Sequence, residues 1–322
     1  MHQKSKALIK PYGYMGDHLF ASSVAQKLKE EKQFDIVDIA CGIRQVEKLL
    51  NLNPYVDNVI TLAYPTQSPL HGVNVTGYDK QFELTETRKN VPPPLQFQRE
   101  CGVKHPDTKF KIWTDPSLDE KVAETYPYPF IAVMQRESWR AKAYGFTLEE
   151  YAKGIDVPLK GYGGRLRNIN HIVSALTERF TLIEVGLIPT AATLDVAKRW
   201  GTQSDIYRSL TWDASVIKRA DYFIGAEGGL ANVACGVGTK TILTGDFVHQ
   251  LYGWNGVIKK VDNPELGPRF YFPDAGHIDL NPYLTDDVVI EEMKAILDGA
   301  KTAKDYTYEW TSREYGRIQS SV

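Results

Sequence analysis

Read only for hydrophobic and polar positions, the chain alternates short apolar runs with amphipathic stretches almost throughout. KALIKPY is a short apolar strand that stops near Pro11. After the turn GYMGD, residues Phe20, Ala21, Val24, Ala25 and Leu28 recur at helical spacing and predict a helix over HLFASSVAQKLKEE. FDIVDIA reads as the next strand, RQVEKLLNLN as a helix and VDNVITLA as a third strand. This succession builds a parallel sheet covered by helices. Residues 64–117 are turn-rich, with YPTQSPLHG and NVPPPLQ, and predict loops around one short strand and one or two helices. TDPSLDEKVAETYPYP, with prolines at 116, 127 and 129, reads as a linker between domains.

The alternation restarts at FIAVMQ. HIVSALTERF, TLDVAKRW and DASVIKRA predict helices, and TLIEVG, DYFIGA and TKTILTGD predict strands. A short helix of small residues, LANVACGV, lies between the last two strands, and DDVVIEEMKAILDGAKT is a long amphipathic helix. The expectation is an α/β protein with two similar units facing across a cleft: a first domain over 1–125, a second over 130–300, and a C-terminal segment, 301–322. That segment carries Tyr306, Tyr308, Trp310 and Tyr315 and is expected to pack back onto the first domain.

Composition narrows the function classes. Among 322 residues, 43% are hydrophobic and 24% charged, as in a globular domain. No apolar run approaches the roughly 20 residues of a membrane helix, and the N-terminus lacks the apolar stretch of a secretory leader. The three cysteines, Cys41, Cys101 and Cys235, are widely spaced, which argues against a disulfide framework or a zinc site and predicts a cytoplasmic protein. The formal net charge of −2 gives no overall field toward a polyanion.

Three stretches carry candidate chemistry, each at the carboxyl end of a strand, where sheets of this kind bind ligands. In Gly13-Tyr14-Met15-Gly16-Asp17 a strand turns into a helix whose first N–H groups are open to a ligand. Asp17 either caps that helix or serves as a general base toward an incoming hydroxyl. In Glu227-Gly228-Gly229 the glycines permit close backbone approach, and the helix that follows offers donors to a phosphate. Glu227 suits a sugar or ribose diol, and Asn232 stands one turn further on. In QRESWRAKAYGF, the cations Arg136, Arg140 and Lys142 either form a solvated loop or supply countercharge to a pyrophosphate. The chain has no GxxxxGK[ST] loop, no GxSxG elbow and no HExxH motif, its histidines are scattered, and no acidic pair demands a bound metal.

Taken in order, these stretches resemble the heptosyltransferase-like glycosyltransferases, family 9 of that classification. ALIKPYGYMGDHLFASSVAQKLKE is similar to the family's opening of strand, glycine-aspartate pair and helix. DASVIKRADYFIGAEGGLANVACGVGTKTILTGD resembles its second signature, and QLYGWNG the motif after it. The resemblance runs from about Ala7 to Gly256. It implies the GT-B fold of two Rossmann-like domains, a nucleotide-sugar as co-substrate, no cofactor and no metal, and an inverting transfer. Asp17 matches the family's catalytic base, Arg140 or Lys142 its basic residue on the donor phosphates, and Gly228 and Gly229 its donor turn. Gly13, Tyr14 and Gly16 form the acceptor-side loop, and Lys10 lies one place out of register from a basic residue common before the base. The sequence departs from the pattern where the family's turn Asp is Glu227, its Ser/Thr is Gly228 and its His is Asn232. The acceptor expected from the resemblance is a glycan such as a lipopolysaccharide core. The alternatives are a hydroxymethylated DNA base, served by a basic surface near Arg88, Lys89, Arg99 and Lys104; a nucleotide-sugar epimerase; and a binding module without catalysis.

Overall fold

A computed structural model of the chain describes residues 4–13, 15–61, 72–85, 93–107, 109–134, 157–158, 165–166, 168–186, 198–199, 209–225, 228–244, 278–280 and 284–302. In the first part, strands β1 (Lys6–Tyr12), β2 (Ile36–Cys41), β3 (Asn58–Thr61) and β4 (Lys80–Thr85) make a parallel sheet in the order β3-β2-β1-β4. Helices α1 (Met15–Glu30), α2 (Arg44–Leu50) and α3 (Pro93–Glu100) accompany it, and α4 (Pro116–Thr125) follows. In the second part, β5 (Ile131–Met134) begins a new sheet, and β6 (Val157–Pro158) and β7 (Arg165–Leu166) form a separate antiparallel pair. Strands β8 (Leu182–Val185), β9 (Lys198–Arg199), β10 (Tyr222–Gly225), β11 (Lys240–Leu243) and β12 (Ile278–Asp279) complete a parallel sheet in the order β12-β11-β10-β5-β8-β9. Its helices are α5 (Ile169–Thr177), α6 (Leu210–Arg219), α7 (Gly229–Val237) and α8 (Asp286–Leu297).

Both sheets grow the same way. The first strand lies inside, the next strands add on one side, and the chain then returns to add on the other. The reversal falls between β1 and β4 in one sheet and between β5 and β10 in the other, and a ligand crevice lies outside the carboxyl ends of strands at such a point.

The period-two alternation of strand side chains divides the core. Ala7, Ile9, Val37, Ile39, Phe82 and Leu84 of the first sheet join Ala132, Met134, Ile183, Val185, Phe223 and Leu243 of the second in one buried cluster, with α1, α6 and α7 contributing to it. The opposite face of the second sheet packs Ile131, Val133, Leu182, Ile224 and Ile242 against α5 and α8. The opposite face of the first sheet sets buried polar groups beside Leu8 and Ala40. Lys10, 2% exposed, donates to Glu83 Oε1 at 2.9 Å and to the Val73 carbonyl at 2.6 Å. Tyr78 donates to Asp38 at 2.7 Å, and Asn58 donates to the other oxygen of Asp38 at 2.9 Å. Burial, reinforced by Asp38, holds the Tyr78 phenol well above its ordinary range. Lys10 therefore points away from the α1 side of its sheet, so its place in the sequence beside the Gly13–Asp17 turn does not bring its side chain there.

Two predicted segments differ from expectation. The proline-rich stretch taken for a linker contains α4, started by Asp115, whose side chain accepts from Ser117 N, and by Pro116 in the first turn. That helix packs on α6, where Lys218 donates to Asp119 at 2.7 Å and to Thr114 at 2.8 Å. Within the stretch predicted as the helix TLDVAKRW, Lys198 and Arg199 form strand β9, pairing Ile183 and Glu184 at the sheet edge. The expected packing of the C-terminal segment concerns residues beyond 302, outside the described residues. Among the described residues, no helix is long and apolar enough to cross a membrane. All three cysteines are buried, and burial pushes the Cys41 thiol up to about 11 and the Cys235 thiol to about 12, which makes them poor nucleophiles.

Burial alone would raise the Asp119 carboxyl, but the hydrogen bonds from Lys218 and Thr114 and the Lys218 charge outweigh it and hold Asp119 below the usual carboxylate range. A depressed acid stabilises the fold above its unfolded value and loses that contribution as pH falls through the folded value. Asp119→Asn should therefore lower stability by about 0.5 kcal/mol near neutral pH, a figure in keeping with a partly exposed pair. The gap between the two proteins should close below about pH 4, as read by urea denaturation at both pH values; an equal gap at both would show that the ion pair contributes nothing.

Candidate functional site

The candidate residues that the structure describes converge where the first turns of α1 and α7 meet. Gly13 closes the β1–α1 turn with φ +144°, a conformation that side chains rarely adopt. Over it folds the carboxylate of Asp17: a Cβ added to Gly13 would lie 2.3 Å from Asp17 Oδ2 and 2.6 Å from its Cγ. Asp17 is the third residue of α1 and only 9% exposed. It thus lies inside the first turn rather than ahead of it, and a negative group there is favoured by the helix dipole by about 0.3–1 kcal/mol.

Across from this turn, β10 ends at Gly225, where a Cβ would lie 2.8 Å from Met134 Cβ of the neighbouring strand. Helix α7 is capped by Gly228 in extended backbone, with no side-chain cap, so its first N–H groups have no side-chain acceptor at the cap. It ends at Gly238, whose φ of +84° suits the left-handed stop. Met15, the first residue of α1, lies on Gly229, the first residue of α7: a Cβ on Gly229 would be 1.7 Å from Met15 Cε and 3.0 Å from its sulfur. Asn232 reciprocates, and a Cβ on Gly16 would be 2.5 Å from its Nδ2. Gly229 and Asn232 are three apart and share one face of α7, so consecutive residues of α1 meet consecutive contact positions of α7.

Asn232 is 3% exposed, and its Oδ1 is buried with no hydrogen-bond partner. Leu230 of the same turn packs toward Gly186 at the end of β8, 3.2 Å from where a Cβ would lie. A crossing strand of chain braces the junction from behind. Ile112 N donates to the Gly236 carbonyl at 2.9 Å, and a Cβ on Gly236 would be 2.6 Å from Ile112 Cγ1 and 2.9 Å from Phe110 Cε2. Phe110 stacks edge-on against Phe20 of α1 at 5.1 Å.

Of the predicted site residues, the structure therefore brings together Gly13, Gly16, Asp17, Gly228, Gly229 and Asn232. Tyr14, Arg136, Arg140, Lys142 and Glu227 lie outside the described residues, as do Arg88 and Lys89 of the basic surface considered for DNA. Of that surface's other members, Lys104 donates its backbone N–H to Glu31, and the nearby Lys27 pairs with Asp107 at 2.9 Å, so the described part carries both signs of charge. Among the described residues, no group of three or more His, Cys, Asp or Glu side chains stands close enough to hold a metal ion. The sequence reading passed over Met15. Its only signal was an apolar residue at the turn, ahead of the stripe that begins at Phe20.

No protein-family model matches the chain, and no curated protein matches it. Solved structures do match. The heptosyltransferase WaaC of E. coli, solved with ADP, is 10% identical, and the superposition covers 93% of this chain and 99% of that one at a TM-score of 0.50. A glycosyl transferase family 9 protein from Veillonella parvula is 9% identical, with 74% of this chain and 80% of that one covered at a TM-score of 0.51. The chain has the α/β fold of these glycosyltransferases, built on parallel sheets, as the resemblance implied.

The Gly13 turn is the testable element of this geometry. Gly13→Ala should destabilise the chain by about 1–3 kcal/mol, since it combines an unfavourable backbone with the Asp17 carboxylate. Adding Asp17→Ala should recover part of the loss by vacating the space. Denaturant melts of both single variants and the double variant measure the coupling; strictly additive effects would mean that the carboxylate does not lie on Gly13.

Proposed function

We infer that this chain is a glycosyltransferase that moves a sugar from a nucleoside-diphosphate donor to an acceptor hydroxyl with inversion at the anomeric carbon. The observation that carries the reading is the direct contact between the first turns of α1 and α7 in this fold, which sets the Asp17 turn against the Gly228-Gly229 turn. A transferase needs those two things in one place: an anion-binding helix end for the leaving diphosphate, and a carboxylate for the attacking hydroxyl. The acceptor binds on the side of residues 1–125 and the donor on the side of 130–300, with 301–322 returning to the first part.

In the proposed reaction Asp17 takes the proton of the acceptor hydroxyl. The freed oxygen lone pair forms a bond to the anomeric carbon on the face opposite the diphosphate. The bond between that carbon and the β-phosphate oxygen breaks, its electrons stay on the oxygen, and the nucleoside diphosphate leaves. The N–H groups at the start of α7 stabilise the charge that grows on the leaving group, together with Arg140 and Lys142, so that transfer proceeds without a metal. Glu227 takes a donor hydroxyl pair, and Asn232 stands beside the donor. Holding two substrates at one junction supplies much of the rate. The acceptor class that suits the fold's relatives is a glycan such as a lipopolysaccharide core sugar.

The test begins with a thermal-shift panel of UDP, ADP, GDP, CDP and dTDP, where a ligand at 100 times its dissociation constant stabilises by about 2.7 kcal/mol. One diphosphate should stand out. With the matching sugar donor and a glycan acceptor, Asp17→Ala should lower transfer by about a hundredfold or more while diphosphate binding stays within about twofold of the parent. Transfer that survives in Asp17→Ala would remove Asp17 as the base, and a panel without any shift would remove the donor site.

A further inference from the structure

We propose that Asn232 is the residue that recognises the sugar of the donor, through a hydroxyl that donates to its Oδ1, and that Met15 is the movable cover over that site. The inference rests on the donor reading above and specifies which part of the donor this side chain meets. Asn232 is 3% exposed and its Oδ1 is buried without a partner, an arrangement that native folds rarely leave unanswered. A carbonyl oxygen only accepts. An ionised phosphate oxygen also only accepts, so the group that answers Oδ1 is an O–H or N–H donor and not the diphosphate, and on a sugar that donor is a hydroxyl. The N–H groups at the start of the same helix have the opposite preference and favour the anion. One turn of α7 thus presents two complementary demands, a negative group at the Gly228 end and a hydroxyl at Asn232, and a nucleoside-diphosphate sugar meets both.

The approach to Asn232 is set by α1. Gly16 has no Cβ, which leaves room for the Asn232 amide nitrogen against its backbone. The residue before it, Met15, lays its thioether on Gly229, on the face of α7 that Asn232 shares. Met15 is only partly buried and has an unbranched, flexible side chain, so it can leave Gly229 by rotating about its own bonds. It lies over Gly229 beside the Asn232 side of α7, and an arriving sugar takes the place of the thioether.

Two measurements test this. The first needs no ligand. Replacing a buried orphan acceptor by an apolar group of similar shape is neutral or stabilising, so Asn232→Leu should melt at or above the temperature of the parent chain. A clearly lower melting temperature would mean that the amide has a structural role and would overturn the proposal. The second compares calorimetric binding of UDP with UDP-glucose and of ADP with ADP-glucose. For the pair that binds, Asn232→Leu should leave the diphosphate within about twofold of the parent and weaken the sugar-bearing ligand about tenfold, while Met15→Ala should bind the sugar-bearing ligand at least as tightly as the parent. Equal losses for both ligands in Asn232→Leu would place the residue at the nucleotide, and a parent chain that gains nothing from the sugar would refute hydroxyl recognition; both leave the donor reading standing. A loss in Met15→Ala would make Met15 a ligand contact and not a cover. A parent chain that binds no diphosphate would remove the donor reading itself and this assignment with it.

Discussion

The close approach of α1 to α7 is the constraint on which the rest of this structure depends. Each helix gives a glycine to the contact, and each glycine lies beneath a side chain of the other helix, Met15 over Gly229 and Asn232 over Gly16. A methyl group at either glycine would fall within 2.5 Å of its neighbour, closer than packed atoms come, so the spacing of the helices is written into these two residues. The spacing in turn limits where the carboxyl ends of β1 and β10 stand, because only a few residues of sequence separate each strand from its helix. Gly13 then folds the Asp17 carboxylate back over the turn. The candidate chemistry is in this sense a by-product of packing two helix ends together, with polar groups left where the packing puts them.

The same contact explains the unusual burial of α1. A helix that covers one face of a sheet normally keeps an exposed side, yet every residue from Asp17 to Ala25 is buried. The first sheet, α3, α7 and the chain at Phe110–Ile112 surround it. Ser22 and Ser23, which would suit a wet face, instead turn their hydroxyls to the carbonyls of Leu19 and Phe20 at 2.6 and 2.8 Å. Gln98 of α3 then donates to Ser23, and Asn53 donates to the Ser22 carbonyl. Small hydroxyl side chains let neighbouring elements come close while every buried polar group noted here finds a partner.

How much of this was legible in the sequence follows from the range of each interaction. The strand and helix alternation is local, and β1, α1, β2, β10 and α7 appear where the hydrophobic spacing put them. The Gly13, Asp17 and Gly228-Gly229 turns were legible because strand-to-helix junctions have few solutions and glycine marks them. What could not be read was which turn faces which. The stripe Phe20, Ala21, Val24, Ala25, Leu28 marks the apolar side of α1, while the residues that meet Gly229 and Asn232 of α7 are Met15 and Gly16, a pair with no apolar period to detect. The α4 segment misled for a related reason: its prolines at 116, 127 and 129 suggested a loose connection, but Pro116 is at home in a first helical turn, and Lys218, about a hundred residues later, supplies the docking. Lys10 shows the converse, a residue next to the site in sequence that strand alternation turns to the opposite face.

The shared core also bears on how a ligand could enter. One cluster contains residues of both sheets and of α1, α6 and α7, so drawing the two sheets apart would uncover side chains on each of them. Each large apolar side chain returned to water costs about 1.5–3 kcal/mol, and the sum over Phe20, Phe110, Ile112 and their neighbours soon approaches the few kcal/mol by which a fold of this kind is stable. Turning one methionine aside forfeits only the contacts of a thioether on Gly229 and breaks no hydrogen bond of the backbone. The inexpensive motion and the junction of the two helix ends therefore coincide. A route that opened by a side chain would keep Asp17 and the start of α7 at a fixed separation, because it would leave the Gly16 and Gly229 contacts between the helix backbones in place.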